Sequence, residues 1–144
     1  MTSELTPIEL SHRLHIHDVL VRYAAAVDAR DWDRLRTLFT EDAVLDYSVF
    51  GGPRGPVDDA IEWMSNALAR VPMTQHLITN VLIHLGTDTA EVTSAVFNPI
   101  GTDSDPILVG GTYRDRMVRT DSGWLIAKRT ASFTWSSRPI KRAD

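Results

Sequence analysis

The sequence predicts an α+β domain, with helices first and an antiparallel meander after. Three observations carry that expectation. Apolar residues recur at helical spacing up to Val71, strand-like alternation takes over from Met73, and GTDT, GTDSDP and TDSG punctuate the second half as turns. Helices followed by hairpin-linked strands pack on one face of a sheet. With 144 residues, 43% of them hydrophobic, the chain has the size of one domain. No linker, repeat or low-complexity segment divides it. A chain of this length buries roughly 68–70% of the surface its unfolded form exposes, enough for a core and an interior cavity.

The first helix opens on Thr6 as N-cap, Pro7 at the first helical position and Glu9 as the acid of a capping box. Ile16, Leu20, Tyr23 and Val27 form its apolar stripe. Val21, Ala24, Ala25 and Asp28 lie beside the stripe, so Asp28 sits at the edge of the core. A second, short helix is expected from Asp31 to Phe39, with Trp32, Leu35 and Phe39 on one side. AVLDYSVFGGPRG then reads as a strand and a Gly/Pro turn. A third helix follows Pro56, turning Ile61, Met64, Leu68 and Val71 inward. Residues 73–85, 89–100, 107–119 and 123–135 are the strands of the meander. Gly51-Gly52 fits a turn, and Gly110-Gly111 a kink in a curved sheet.

Several functions are excluded by composition. The chain has no cysteine, so thiolate metal sites and a Cys nucleophile are unavailable. Its net charge is −4, and the one basic cluster is a short tail of Arg138, Lys141 and Arg142, which argues against nucleic acid. No apolar run approaches the roughly 20 residues of a membrane span, and MTSELTPIEL lacks a signal peptide's apolar centre, so a cytoplasmic protein is expected. There is no Gly-rich phosphate loop, nucleophile elbow or HExxH motif. His12 and His15 can approach on a helix while His17 points away, but no carboxylate completes a zinc set there. A solvated helix face is the expectation, and neither metal nor cofactor is expected.

Asp28 and His76 stand out because each lies within an apolar segment, VLVRYAAAVD and MTQHLITN. Buried carboxylates and imidazoles are costly unless paired or put to use. Brought together, they form a His base oriented by an Asp; left apart, they are a core histidine and an acid near a helix end. Tyr47, after the alternating AVLDY, can donate a hydrogen bond to a developing oxyanion or simply pack with a wet hydroxyl. Tyr23 lies five residues before Asp28 in the apolar stripe. Asn98 and Asp115 are polar residues inside strands that can line a cavity. Trp32, Phe50, Trp63, Met64, Phe97, Phe133 and Trp135 can wall an apolar pocket or belong to plain core. Alternation places Thr74, His76, Ile78, Asn80, Leu82 and His84 on one face, with His84 too far from His76 to share a ligand.

The strings VDARDWDRLRTLFTEDAVLDYSVF, MTQH and GGTYRDRMVRTDSGWLIAKR resemble the SnoaL-like branch of the nuclear-transport-factor-2-like superfamily. Within it they are similar to the cluster of scytalone dehydratase, hexachlorocyclohexane dehydrochlorinase and bile-acid dehydratase. The resemblance runs from about residue 8 to residue 135 and is most specific at Asp28-x-x-Asp31-Trp32-Asp33-Arg34-Leu35, Asp46-Tyr47 and Thr74-Gln75-His76. It implies a cone-shaped α+β barrel, three helices on a strongly curved, mostly antiparallel sheet around an apolar pocket. It also implies that Asp28 and His76 are the catalytic pair, that Tyr47 polarises a carbonyl, and that Tyr23 takes the place of a helix tyrosine. The sequence departs from the dehydratase in lacking a second His, since FNPIGTDSDP contains none. The dehydratase's later Asn falls among Tyr113, Arg114 and Asp115, and the dehydrochlorinase's extra cation has only Arg119 nearby.

The reading that results is a cofactor-independent lyase of dehydratase or elimination type, acting on a small apolar cyclic or polyketide-like substrate. An isomerase or cyclase of the same fold, and a non-catalytic binding or assembly module, are the alternatives. Alternating apolar residues on the last strands fit burial on both faces, so a homo-oligomer is expected, a trimer or dimer by resemblance.

Overall fold

The computed structural model describes residues 3–139. Helix α1 spans Pro7–Asp28, and its start is the expected capping box, with Thr6 and Glu9 each satisfying the other's backbone N–H. Helix α2 is only Trp32–Arg36, capped by Asp31. The expected extension to Phe39 fails because the backbone there is claimed by the sheet: Leu38 accepts from Ile126 N–H, and Phe39 opens strand β1, Phe39–Asp46. A 3₁₀ turn at Ser48–Phe50 and the short β2, Arg54–Pro56, lead into α3, Val57–Leu68. The meander follows as β3 (Leu77–Leu85), β4 (Thr89–Ile100), β5 (Ile107–Thr120) and β6 (Gly123–Ser136).

The six strands form one sheet in the order β2-β1-β6-β5-β4-β3, antiparallel except where β1 runs parallel to β6. It remains open, with β2 and β3 as its edges, so the cone is a curved sheet rather than a closed barrel. Bulges supply curvature. Pairing of β3 with β4 slips by one residue between Thr79 and Leu82, where Asn80 adopts a φ of 50°. Beyond that slip Val81, Ile83 and Leu85 pack inward, while Leu82 and His84 are exposed. The single-face series expected from Thr74 to His84 therefore breaks at Asn80. Strand β6 carries two more slips against β5, at Arg116/Met117 and Gly110/Gly111.

Ile16, Leu20, Tyr23 and Val27 pack into one core with Leu45, Met117, Trp124 and Ile126. Truncating a side chain as enclosed as Leu20 costs about 2–5 kcal/mol. The buried arc of α1 is narrower than expected, because Val21 and Ala25 are exposed. On the outer face of the sheet Phe97 stacks on Trp135, whose indole lies so close over Gly110 that a Cβ there would sit 2.2 Å from it. Among the described residues, no helix is long and apolar enough to cross a membrane. Of the basic tail, Lys141 and Arg142 lie outside the described residues.

Candidate active site

Asp28 closes α1, and the segment Thr74–His76 passes it on the way into β3, with Thr74 bridged to Ile100. His76 Nδ1 lies 2.7 Å from Asp28 Oδ1, and the His76 backbone N–H donates to Oδ2 at 2.8 Å. Thr74 Oγ1 donates to the same Oδ1 at 2.9 Å and accepts from the Arg30 guanidinium at 2.8 Å. A guanidinium can only donate, so the Thr74 proton is committed to Asp28. Burial works against ionisation of Asp28, but hydrogen bonds from the His76 ring and backbone, the His76 charge and the Thr74 hydroxyl outweigh it and hold the carboxyl below its ordinary value. An ionised Asp28 accepts, so in the neutral imidazole the proton sits on Nδ1 and Nε2 keeps a lone pair.

Arg30 earns its place through its backbone. The end of α1 is a Schellman motif, with Arg30 N–H bonded to Val27 O and Asp31 N–H to Ala26 O, and Arg30 takes the left-handed position with φ 57°. Glycine is the usual occupant there. The arginine side chain offsets the strain by bonding Val27 O and Thr74, which ties the helix end to the segment carrying His76.

Tyr23 and Tyr47 meet hydroxyl to hydroxyl at 2.7 Å, both buried. Two phenols own two protons and their mutual bond uses one. Among the described residues the pair also meets Met64 Sδ, 4.0 Å from Tyr23 and a weak acceptor, and the Tyr113 phenol, which brings a third proton and at most one further bond to the group. One phenolic proton is therefore left for the space in front of the pair. Burial, with the neighbouring Tyr23, pushes the Tyr47 phenol well above its ordinary pKa despite the opposing Arg129 charge, so it remains a donor in alkaline solution. The Arg129 guanidinium is sandwiched 4.1 Å from the ring centroids of both Tyr23 and Tyr113. Asp115 grips it with two bonds of 2.7 Å, and both side chains are fully enclosed.

His76 and the three tyrosines open onto a cavity of about 680 Å³ between α1, α3 and the concave face of the sheet. Small-molecule sites have that size and apolar character, at about 300–1,000 Å³. Its walls include Val27, Phe50, Trp63, Met64, Val96, Ile100, Ile107 and Val109, with Tyr23, Tyr47, His76, Asn98 and Tyr113 as the polar insertions. The Oδ1 atom of Asn98 is buried without a protein partner. Register places Asn98 across from His76, since Thr74 bridges Ile100 and Leu77 pairs with Phe97.

The sequence profile of the SnoaL-like domain matches residues 9–130. The chain belongs to the SnoaL-like domain family. The uncharacterised protein Rv2910c of Mycobacterium tuberculosis is 36% identical over 130 residues, which is 88% of each chain. A solved protein of Novosphingobium aromaticivorans, named as a candidate aromatic ring hydroxylase, is 33% identical with a TM-score of 0.80, covering 92% of this chain and 95% of its own. A candidate scytalone dehydratase of the same species superposes with a TM-score of 0.84 at 20% identity, covering 97% and 96%. At that identity the likeness is one of fold.

The SnoaL-like architecture gathers some expected site residues and disperses others. Asp28 and His76 are joined, Tyr23 and Tyr47 are joined, and Phe50, Trp63, Met64 and Asn98 line the cavity. Trp32 does not; it packs on the outside of the core from α2. Phe97 and Trp135 point outward, because Val96 and Asn98 take the inward positions of β4. Phe133 is nearly half exposed, at 46%, and off the cavity wall. Asp115 is consumed by Arg129, since a carboxylate buried that deeply needs a counter-charge. Arg119 pairs with Asp88 on the surface. His12 accepts from Trp124 Nε1 at 3.1 Å, while His15 and His17 are exposed. Tyr113, Arg129 and Arg30 went unrecognised in the sequence. The available signal was an arginine and an aspartate on paired strands, among residues that otherwise read as apolar core.

Proposed function

We propose that this protein is a cofactor-independent lyase that removes water or a comparable leaving group from a small apolar, cyclic or polyketide-like substrate. The observation that carries the reading is the 2.7 Å bond between Asp28 and His76 on the wall of an apolar cavity. His76 Nε2 takes the proton from a carbon next to a carbonyl. The C–H electron pair becomes the new double bond, and the leaving group departs from the adjacent carbon. Asp28 keeps the imidazole in the useful tautomer and stabilises the imidazolium. The spare phenolic proton of the Tyr23–Tyr47 pair is offered to the developing oxyanion or to departing hydroxide. A placed general base contributes about 10²–10⁴-fold and an oxyanion donor about 10² or more.

The test is incubation with β-hydroxy ketones on fused-ring scaffolds in D₂O, followed by mass spectrometry. Elimination is read as loss of the mass of water, and isomerisation as retention of the leaving group with the mass raised only by the deuterium incorporated. The expected result is water loss that His76→Ala abolishes. Isomeric product without loss would replace the lyase reading with an isomerase. Turnover that survives His76→Ala would overturn the role of the pair.

A further inference from the structure

The cavity has a charge pattern that the proton chemistry does not use. Among the described residues nineteen line it, none of them Asp or Glu, and Arg138 is the one of these that carries a fixed charge. Arg138, Pro139, Gly51 and Ala67 are the exposed members of the lining, whereas Tyr23, Tyr47 and Tyr113 are buried, so Arg138 stands at the mouth and the phenols at the closed end. The strap that carries Arg138 is fixed to the start of β5. Ser137 N–H bonds Leu108 O, Leu108 N–H bonds Ser137 Oγ, and the guanidinium itself donates to the Asp105 carbonyl oxygen. That carbonyl leaves most of the fork's five N–H donors unspent. Asp103 and Asp105 are exposed on the adjoining loop, and Arg138 forms no salt bridge with either or with any other carboxylate among the described residues.

We propose that the ligand of this cavity is an apolar carboxylic acid, its ring-sized body filling the space up to His76 and its carboxylate received by Arg138 at the mouth. The inference rests on the lyase reading for the reacting end and adds the substrate's second pole. A guanidinium matches a carboxylate with two parallel bonds. An apolar wall without acids imposes no repulsion on an anion and gives a cation no counter-charge. Two fixed contacts, one at each end, also set which carbon faces His76 Nε2, which a purely apolar wall does poorly.

The test is calorimetric titration with a matched pair of probes, 2-naphthylacetate and 2-naphthylacetamide. They share a ring system and differ in charge. The wild-type protein should bind the acid about five- to tenfold more tightly than the amide, a preference that shrinks with added salt. Arg138→Gln should remove the preference and leave amide affinity within about twofold. Arg119→Gln, which deletes the same charge elsewhere, should change neither. Ala67→Trp, which adds an indole to the exposed rim of the lining, should weaken both probes. Equal affinity for the two probes, a preference that survives Arg138→Gln, or binding untouched by Ala67→Trp each overturns the proposal. Binding is read without turnover. A protein that prefers the acid through Arg138 yet shows no proton exchange at any substrate would keep this inference and lose the lyase.

Discussion

Asp28→Asn separates a catalytic pair from a packing pair, because its consequence follows from counting protons. Asp28 accepts three hydrogen bonds, two at Oδ1 from His76 Nδ1 and Thr74, and one at Oδ2 from the His76 backbone. Asparagine keeps the shape but turns one terminus into a donor. With its NH₂ toward the His76 backbone, two donors face each other. With its NH₂ toward the ring, Nδ1 must accept, and the imidazole proton moves to Nε2. A backbone N–H cannot change sides, whereas an imidazole can move its proton and the Thr74 hydroxyl can rotate to accept the second amide hydrogen, so the second arrangement wins. The base then presents a proton where a lone pair is needed, a fault worth on the order of 10³–10⁴ in kcat where a His–Asp pair has the same task. Long-range ¹⁵N correlation spectra report the tautomer directly, with Nδ1–H expected in the wild type and Nε2–H in the variant. The variant should also lose about 1–2 kcal/mol of stability, discounted because Asp28 is 24% exposed. The sign with pH is fixed. Because folding lowers the Asp28 pKa, its contribution is complete above the ordinary carboxylate value near about 4 and fades as pH falls through the folded one. The gap between wild type and variant should therefore close in acid. A variant that keeps both the Nδ1–H tautomer and its turnover would refute the reasoning.

Four further outcomes are expected. Tyr47→Phe removes one phenolic donor and the 2.7 Å bond that orients Tyr23, and should lower kcat about 10²-fold with KM within a few-fold; an effect confined to KM would make the phenols binding groups only. Burial raises the pKa of Tyr47 and Tyr113, so neither phenol should ionise in the native protein at about pH 11, read as a native tyrosinate absorbance that Tyr47→Phe leaves unchanged. Their share of stability is complete below the ordinary value near about 10 and is lost as pH rises, so alkaline unfolding should accompany the missing ionisation. Arg129→Met strands the enclosed Asp115 carboxylate and should cost about 3–5 kcal/mol in denaturant melts, most of it recovered by adding Asp115→Leu; an equally unstable double variant would locate the cost in packing. If copies associate through the outer sheet face, Trp135→Arg should lower the sedimenting mass to that of a monomer, and a wild type that already sediments as a monomer removes that expectation.

Local signals in the sequence read correctly where one residue type has one structural use. Thr6-Pro7-x-Glu9 had to be a helix start, and it is. The strands β4, β5 and β6 fall within a residue of the alternating segments. Asp28 and His76 were legible because a titratable group in an apolar run requires a partner, and each is the other's. Two misplaced faces, on β3 and on β6, share one cause. Alternation predicts facing only while the register is unbroken, and a bulge adds one residue that resets every position after it. The slip near Asn80 sends His84 outward. On β6 Trp124 and Ile126 face inward, so unbroken alternation would put Lys128 and Thr130 inside. The slip at Ala127 instead turns Arg129 and Ala131 inward, which sets a guanidinium between two tyrosine rings. A lysine's flexible, strongly hydrated ammonium would have neither the planar fork for Asp115 nor the flat faces for the rings. The bulge is thus part of how the site is made: it selects, from Lys128 and Arg129, the cation that can be sealed behind the phenols.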